Sequence, residues 1–208
     1  KCLITAGPTL EPIDNIRYLS NHSSGKQGYE IAKQMILYGA NVTLISGPTN
    51  LEAPHKAKLI KVITAKEMYQ AVQKNLKTDI AIFTAAVVDA VPKNFSKVKI
   101  KKKDFKKIVL KKNIDILHEV STSKKKRPKI VIGFAAETSN YIKNAKTKLI
   151  KKNCDAIIVN EISENNKVFG SDMNKISIIT KNKILNFKKT TKRMVAKTIT
   201  KFIYQLLL

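Results

Sequence analysis

Ser20-Asn21-His22-Ser23-Ser24-Gly25-Lys26-Gln27-Gly28 decides how the fold is read. The stretch ends a long polar loop that follows an apolar strand, Cys2-Leu3-Ile4-Thr5-Ala6-Gly7-Pro8-Thr9. It also opens an amphipathic helix expected over residues 29–38, which Gly39-Ala40-Asn41 stops. Val42-Thr43-Leu44-Ile45-Ser46 then reads as a second strand. Strand, Gly-rich turn, helix and parallel strand make a βαβ unit. The helix N-terminus offers unpaired N–H groups and the positive end of the helix dipole, which suits an anion. Glycines at 25 and 28 remove side chains that would hold a phosphate away; alternatively, they let the helix pack close to the strand. The long polar loop before them favours a ligand, because ordered loops of that length are usually functional. The dinucleotide fingerprint G-x-G-x-x-G is absent, and so is the P-loop, since position 20 is Ser and Gln27 follows Lys26.

Outward from that unit, strands and helices alternate. Residues 59–62 read as a third strand, and Thr64 with Glu67 forms a capping box for a helix running to about Leu76. Asp79-Ile80-Ala81-Ile82-Phe83 is a continuous apolar run, as expected of a parallel strand covered on both faces. Residues 92–112 are Lys-rich and contain no Gly, and read as an excursion, a small hairpin with a mobile loop. A short helix is expected at 113–121, a strand at 130–136, a long helix at 141–152 and a strand at 155–159. A hairpin of 176–179 and 184–187 and a last helix over 189–207 complete the chain. The pattern predicts an α/β fold: a doubly wound, Rossmann-like parallel sheet with an antiparallel edge hairpin and a Lys-rich excursion.

The length of 208 residues suits one domain spanning 1–208. No apolar run is long enough for a transmembrane span, and no signal peptide is visible. Lys1 stands almost inside the first strand, as expected of a piece cut from a longer protein. Cys2 and Cys154 fall in or beside strands, so buried free thiols in a reducing, cytoplasmic setting are expected. The net charge of +25 could mark a nucleic-acid or membrane surface. Lysines are spread along the whole chain, however, and aromatic residues are scarce among them, whereas stacking platforms need aromatics. Drift in an AT-rich coding sequence explains the excess better, so neither nucleic acid nor membrane is expected as a partner.

In such a fold ligands sit where strands end. Those ends are Gly7-Pro8-Thr9, residues 85–89, residues 134–138 and Asn160. Ala85 and Ala86 leave room for a ligand against the backbone. Asp89 either receives ribose hydroxyls or a metal, or serves as a turn residue. Lys99, Lys101 and Lys102 could meet a triphosphate, though a Lys run is ordinarily a solvated face. His22, His55 and His118 lack metal spacing, and no residue is assigned to a metal.

Taken together, Ile4-Thr5-Ala6-Gly7-Pro8-Thr9 and Arg17-Tyr18-Leu19-Ser20-Asn21-His22-Ser23-Ser24-Gly25-Lys26-Gln27-Gly28 resemble the signature of phosphopantothenate–cysteine ligase. That enzyme is the synthetase part of the bacterial bifunctional coenzyme A biosynthesis protein. Ala85-Ala86-Val87-Val88-Asp89, Lys99-Ile100-Lys101-Lys102 and Gly133-Phe134-Ala135-Ala136-Glu137-Thr138 match further motifs in order, so the resemblance covers nearly the whole chain. Two departures stand out: Asn113-Ile114-Asp115-Ile116 replaces Asn-Pro-Asp-Ile, and Ala90-Val91 follows Asp89 where an aromatic and Arg are usual. Loss of Pro should loosen the first of these turns.

The resemblance implies CTP-dependent ligation of 4′-phosphopantothenate to L-cysteine through an acyl-cytidylate, releasing pyrophosphate and then CMP. Asn21 and Lys99 would be catalytic. Asn21, His22, Ser23, Ser24 and Gly25 would bind the phosphopantothenate side. Phe83, Thr84, Ala85, Asp89 and Lys99 would contact CTP, with Ile114, Asp115, Ile116, Leu117, Phe134, Lys148 and Lys152. Mg2+ would accompany CTP, and FMN would be needed only by an upstream decarboxylase domain. A homodimer is implied, with the 92–112 excursion as a flap or dimerisation element reaching the partner's site. The rival reading is an NAD(P)-dependent reductase on a similar fold. It lacks the fingerprint glycines and an acidic residue after the second strand, where Ser46-Gly47-Pro48 stand.

Overall fold

A computed structural model describes residues 1–162 and 170–207. Eight strands form the main sheet: β1 (Cys2–Ala6), β2 (Val42–Ser46), β3 (Lys58–Lys61), β4 (Ile80–Phe83), β5 (Ile130–Glu137), β6 (Ala156–Glu161), β7 (Ile176–Ile179) and β8 (Ile184–Asn186). Their spatial order is β3-β2-β1-β4-β5-β6-β7-β8. The first six are mutually parallel, and β7 and β8 add an antiparallel edge. The sheet order reverses direction between β1 and β4, where such sheets open a crevice.

The helices are α1 (Lys26–Leu37), α2 (Ala65–Lys74), α3 (Ile116–Ser121), α4 (Tyr141–Lys152) and α5 (Lys192–Gln205). Alternation along each strand divides the core in two. Ile4, Leu44, Ile82, Ile132 and Ile158 face α1 and α5. Leu3, Ile45, Ala81, Val131 and Ile157 face the layer that contains Met68 and Val72 of α2, Val120 of α3 and Leu149 of α4. Each fully buried Ile or Leu contributes about 1.5–3 kcal/mol of burial free energy. Continuous apolar strands therefore fix a sheet covered on both faces, as the sequence pattern predicts.

Helix α1 starts at Lys26, three residues earlier than the apolar periodicity indicates, because its cap is Gly25 in the left-handed conformation (φ 76°) and no side chain caps it. At α2 the Thr64 hydroxyl accepts from the Glu67 N–H at 3.2 Å. The buried Glu11 carboxylate adds an acceptor for the Ala65 N–H at 2.9 Å, so the dipole's positive end meets a negative charge from another part of the chain.

The Lys-rich excursion forms the expected hairpin, with Ala90–Pro92 paired to Leu110–Lys112, and the segment between them is tied to the loop after β1. Asp14 is buried, and its carboxylate accepts from the N–H groups of Ile16 (2.9 Å), Arg17 (2.8 Å) and Ile100 (3.1 Å). Arg17 donates to the Ile100 carbonyl at 3.3 Å, and its guanidinium lies 4.2 Å from the Phe105 ring centre. Asn15 also hydrogen-bonds the Lys97 carbonyl. An anchor 80-odd residues upstream thus holds the loop, and local sequence pattern does not reveal it.

Candidate functional site

Strand ends converge at the reversal point. Past β4, Ala86 donates to the Gly7 carbonyl at 2.9 Å, and the Thr84 N–H and hydroxyl reach the Thr5 carbonyl at 3.1 and 2.7 Å. These bonds stand residues 85–89 up as a wall, with a cleft of about 650 Å3 on one side and one of about 910 Å3 on the other. Ala85, Val87, Val88, Asp89, Phe134 and Lys148 line both clefts.

The smaller cleft holds the signature loop. Asn21, Ser23, Ser24, Gly25 and Thr84 line it, whereas His22 is exposed and does not. The Asn21 amide donates to the Ala86 carbonyl at 3.0 Å, which fixes the side chain against the wall. The glycines act first in packing. A Cβ on Gly28 would meet Thr84 Oγ1 at 2.4 Å and Ala6 Cβ at 2.7 Å, and one on Gly25 would meet the Thr49 methyl at 2.8 Å. They seat α1 directly on the ends of β1 and β4, and in doing so bring the helix N-terminus to the cleft.

The larger cleft gathers Phe83, Ala85, Asp89, Phe134, Lys148 and Lys152, and the run Ile114, Asp115, Ile116 and Leu117. Asn113 ties that run to the wall, donating from its side chain to the Val88 carbonyl at 2.7 Å and from its backbone to the Asp89 carbonyl at 2.9 Å. The Ile114 N–H donates to Asn113 Oδ1 at 2.8 Å, a bond that proline could not make, so the turn has its own tie where the expected Pro is missing. Asp115 caps α3 through the His118 N–H at 3.1 Å and pairs with Lys152. Burial depresses the Lys152 pKa, and the charge of Asp89 works against that shift. Lys148 pairs with Glu137 at 2.7 Å. Burial opposes ionisation of Glu137, but hydrogen bonds from Lys148 and Asn144 outweigh it and hold the carboxyl below its usual value.

Lys99 is brought to neither cleft. It lines a separate surface pocket with Arg17, Lys101, Lys102 and Phe105, because the Asp14 anchor holds its loop there. The two thiols are buried, and burial pushes each pKa to about 12, so neither is a nucleophile here. No three His, Cys, Asp or Glu side chains gather into a metal cluster among the described residues. Sequence reasoning assigned no role to Gln27, Asn174 or Lys192, which line the far end of the smaller cleft beside Asn160. The one local signal was an Asn placed two residues before the apolar strand β7.

Residues 1–207 match the family described as the DNA/pantothenate metabolism flavoprotein C-terminal domain. The coenzyme A biosynthesis bifunctional protein CoaBC of Borreliella burgdorferi is 46% identical over 208 residues, covering 98% of this chain and 52% of that protein. The CoaBC of Haemophilus influenzae is 48% identical over 181 residues, covering 86% of this chain and 45% of that protein. The chain therefore spans about half the length of the curated relatives it matches. A crystal structure of the C-terminal domain of CoaBC superposes with a TM-score of 0.83 at 37% identity, covering 99% of this chain and 94% of that one. With its 3-2-1-4-5-6 sheet, its glycine-seated helix and its two clefts about one wall, the chain belongs to the DNA/pantothenate metabolism flavoprotein C-terminal domain family.

Proposed function

We propose that this chain ligates 4′-phosphopantothenate to L-cysteine with CTP, through an acyl-cytidylate, in coenzyme A biosynthesis. The observation that carries the reading is the shared wall. Two clefts meet at Asp89, Phe134 and Lys148, so a carboxylate in one can reach the α-phosphorus of a nucleotide in the other. The substrate carboxylate attacks that phosphorus, and the bond to pyrophosphate breaks. The amine of cysteine then attacks the acyl carbon, loses its proton and expels CMP.

The chain's own groups meet the charge problem of the first step, in which two anions approach. Lys148 and Lys152 supply positive charge on the nucleotide side, and the N-terminus of α1 supplies it on the other. Asn21, held by Ala86, turns its remaining amide atoms to the acyl-cytidylate. Mg2+ enters as the metal complex of CTP, a substrate species neutralising the triphosphate. Asp89, on the shared wall, is the carboxylate placed to meet it. FMN would be needed only by an upstream decarboxylase domain.

Lys99 completes the site from a second copy of the chain, in a cytoplasmic homodimer. Among the described residues no helix is long and apolar enough to cross a membrane. The test is pyrophosphate release from CTP with 4′-phosphopantothenate. One equivalent per site without cysteine, then steady CMP formation when cysteine is added, is expected. No release with CTP, together with a rise in melting temperature with NADPH, would overturn the reading in favour of the reductase.

A further inference from the structure

At the far end of the smaller cleft three side-chain amides form a chain whose polarity has a fixed origin. The Gln27 Nε2 group donates to the Lys192 backbone carbonyl at 3.1 Å. A backbone carbonyl can only accept, so the NH2 of Gln27 must face it and Gln27 Oε1 must face the other way. Asn174 Nδ2 donates to that oxygen at 3.1 Å. The same Nδ2 donates its second hydrogen to Asn160 Oδ1 at 3.0 Å. With Oδ1 engaged, Asn160 is left with its own NH2, and that group has no acceptor among the described residues. Asn160 lines the cleft and is half-buried, while Asn174 is fully buried.

The surroundings are basic on balance, although Asp172 pairs with the Lys26 ammonium at 2.7 Å. Lys26 and Lys192 line the same end, as does Gly25 at the N-terminus of α1. Asn174 Oδ1 is buried without a hydrogen-bond partner among the described residues. A buried unpaired acceptor is costly to the fold. Turning the Asn174 amide over would aim that oxygen at Gln27 Oε1 and Asn160 Oδ1, two acceptors, unless Gln27 gave up the Lys192 carbonyl. The relay therefore holds one orientation.

The geometry points to Asn174 as a positioning residue: through the Lys192 carbonyl and Gln27 it sets the polarity of Asn160, so that the cleft meets its ligand with N–H donors and selects an anionic oxygen group there. The inference rests on the proposed substrate, whose phosphate is that group, and assigns the donor that Asn160 presents to a residue that never touches the ligand.

The test uses calorimetric binding of 4′-phosphopantothenate and of CTP to the full chain. Asn174→Asp replaces the donor with an acceptor, so Asn160 must turn its NH2 inward and show its carbonyl to the cleft. Phosphopantothenate affinity should fall at least about tenfold with CTP affinity unchanged. Gln27→Met buries no charge and frees the relay from its anchor; it should weaken phosphopantothenate severalfold and serves if Asn174→Asp fails to fold. Either change made on top of Asn160→Ala should have little further effect, because it acts through Asn160. Unchanged affinity in Gln27→Met, equal losses for both ligands, or effects that add to Asn160→Ala would overturn the relay. Wild-type protein that binds CTP but no phosphopantothenate would instead overturn the substrate reading, and the relay's ligand with it.

Discussion

Gly28 leaves no room for a methyl group between α1 and the strand ends beneath it. A Cβ there would lie 2.4 Å from Thr84 Oγ1 and 2.7 Å from Ala6 Cβ, so Gly28→Ala must lift the helix or displace Thr84 from its bond to Thr5. We expect a loss of about 1–3 kcal/mol in denaturant unfolding, the usual cost of overpacking a tight contact. Wild-type stability would mean that the helix can slide at no cost. Asn21→Asp is the opposite kind of change, because the side chain is exposed and its removal leaves no hole. The carboxylate loses the donor to Ala86 and sets a negative charge beside an anionic intermediate. Pyrophosphate release should fall by about 100-fold or more, with little change in melting temperature. Normal turnover would take Asn21 out of the mechanism.

The Lys-rich loop shows what an element owes to a distant residue. Its two hairpin strands are three residues long, and Asp14 and Arg17 help to hold the segment between them. Burial works against the charge on Asp14, but bonds from Ile16, Arg17 and Ile100, and the Arg17 charge, lower its pKa below the ordinary aspartate value of 3.8. A lowered folded-state pKa means that the anchor is fully present above 3.8 and is lost as pH falls through the lower folded value. Asp14→Asn keeps one acceptor and removes the charge. It should speed limited trypsin cleavage at Lys101 to Lys107 severalfold at neutral pH, with the sheet intact by circular dichroism; equal cleavage would show that Asp14 does not hold the loop. This anchor marks where the sequence stops being legible. The strands and helices announce themselves through apolar runs and caps such as Thr64 and Glu67, which are local. The contact of Asp14 with Ile100, and that of Asn174 with Gln27, join positions far apart in the chain and leave no periodic trace.

At the scale of the molecule, the doubly wound sheet and its crevice followed from the alternation of apolar strands and helices, whereas the strand order came from the structure. The residues assigned to CTP did share one cleft, and those of the signature loop the other, apart from His22, Thr84 and Lys99. The exception of Lys99 is informative. Within one subunit it sits beside Arg17 and Phe105 and away from the wall, which is what a loop serving another subunit would do. A complementation experiment separates the two arrangements. Asn21→Asp and Lys99→Gln chains are each expected to be nearly inactive alone. If Lys99 acts on the partner's cleft, a mixed dimer contains one site with both native residues and one with neither. Random exchange of equal amounts should then restore about one quarter of wild-type turnover, since half the dimers are mixed and each has one working site. If Lys99 serves its own cleft, every site in the mixture carries one lesion and mixing restores nothing. The salt dependence of exchange must be controlled, because a chain of net charge +25 repels its copies at low ionic strength.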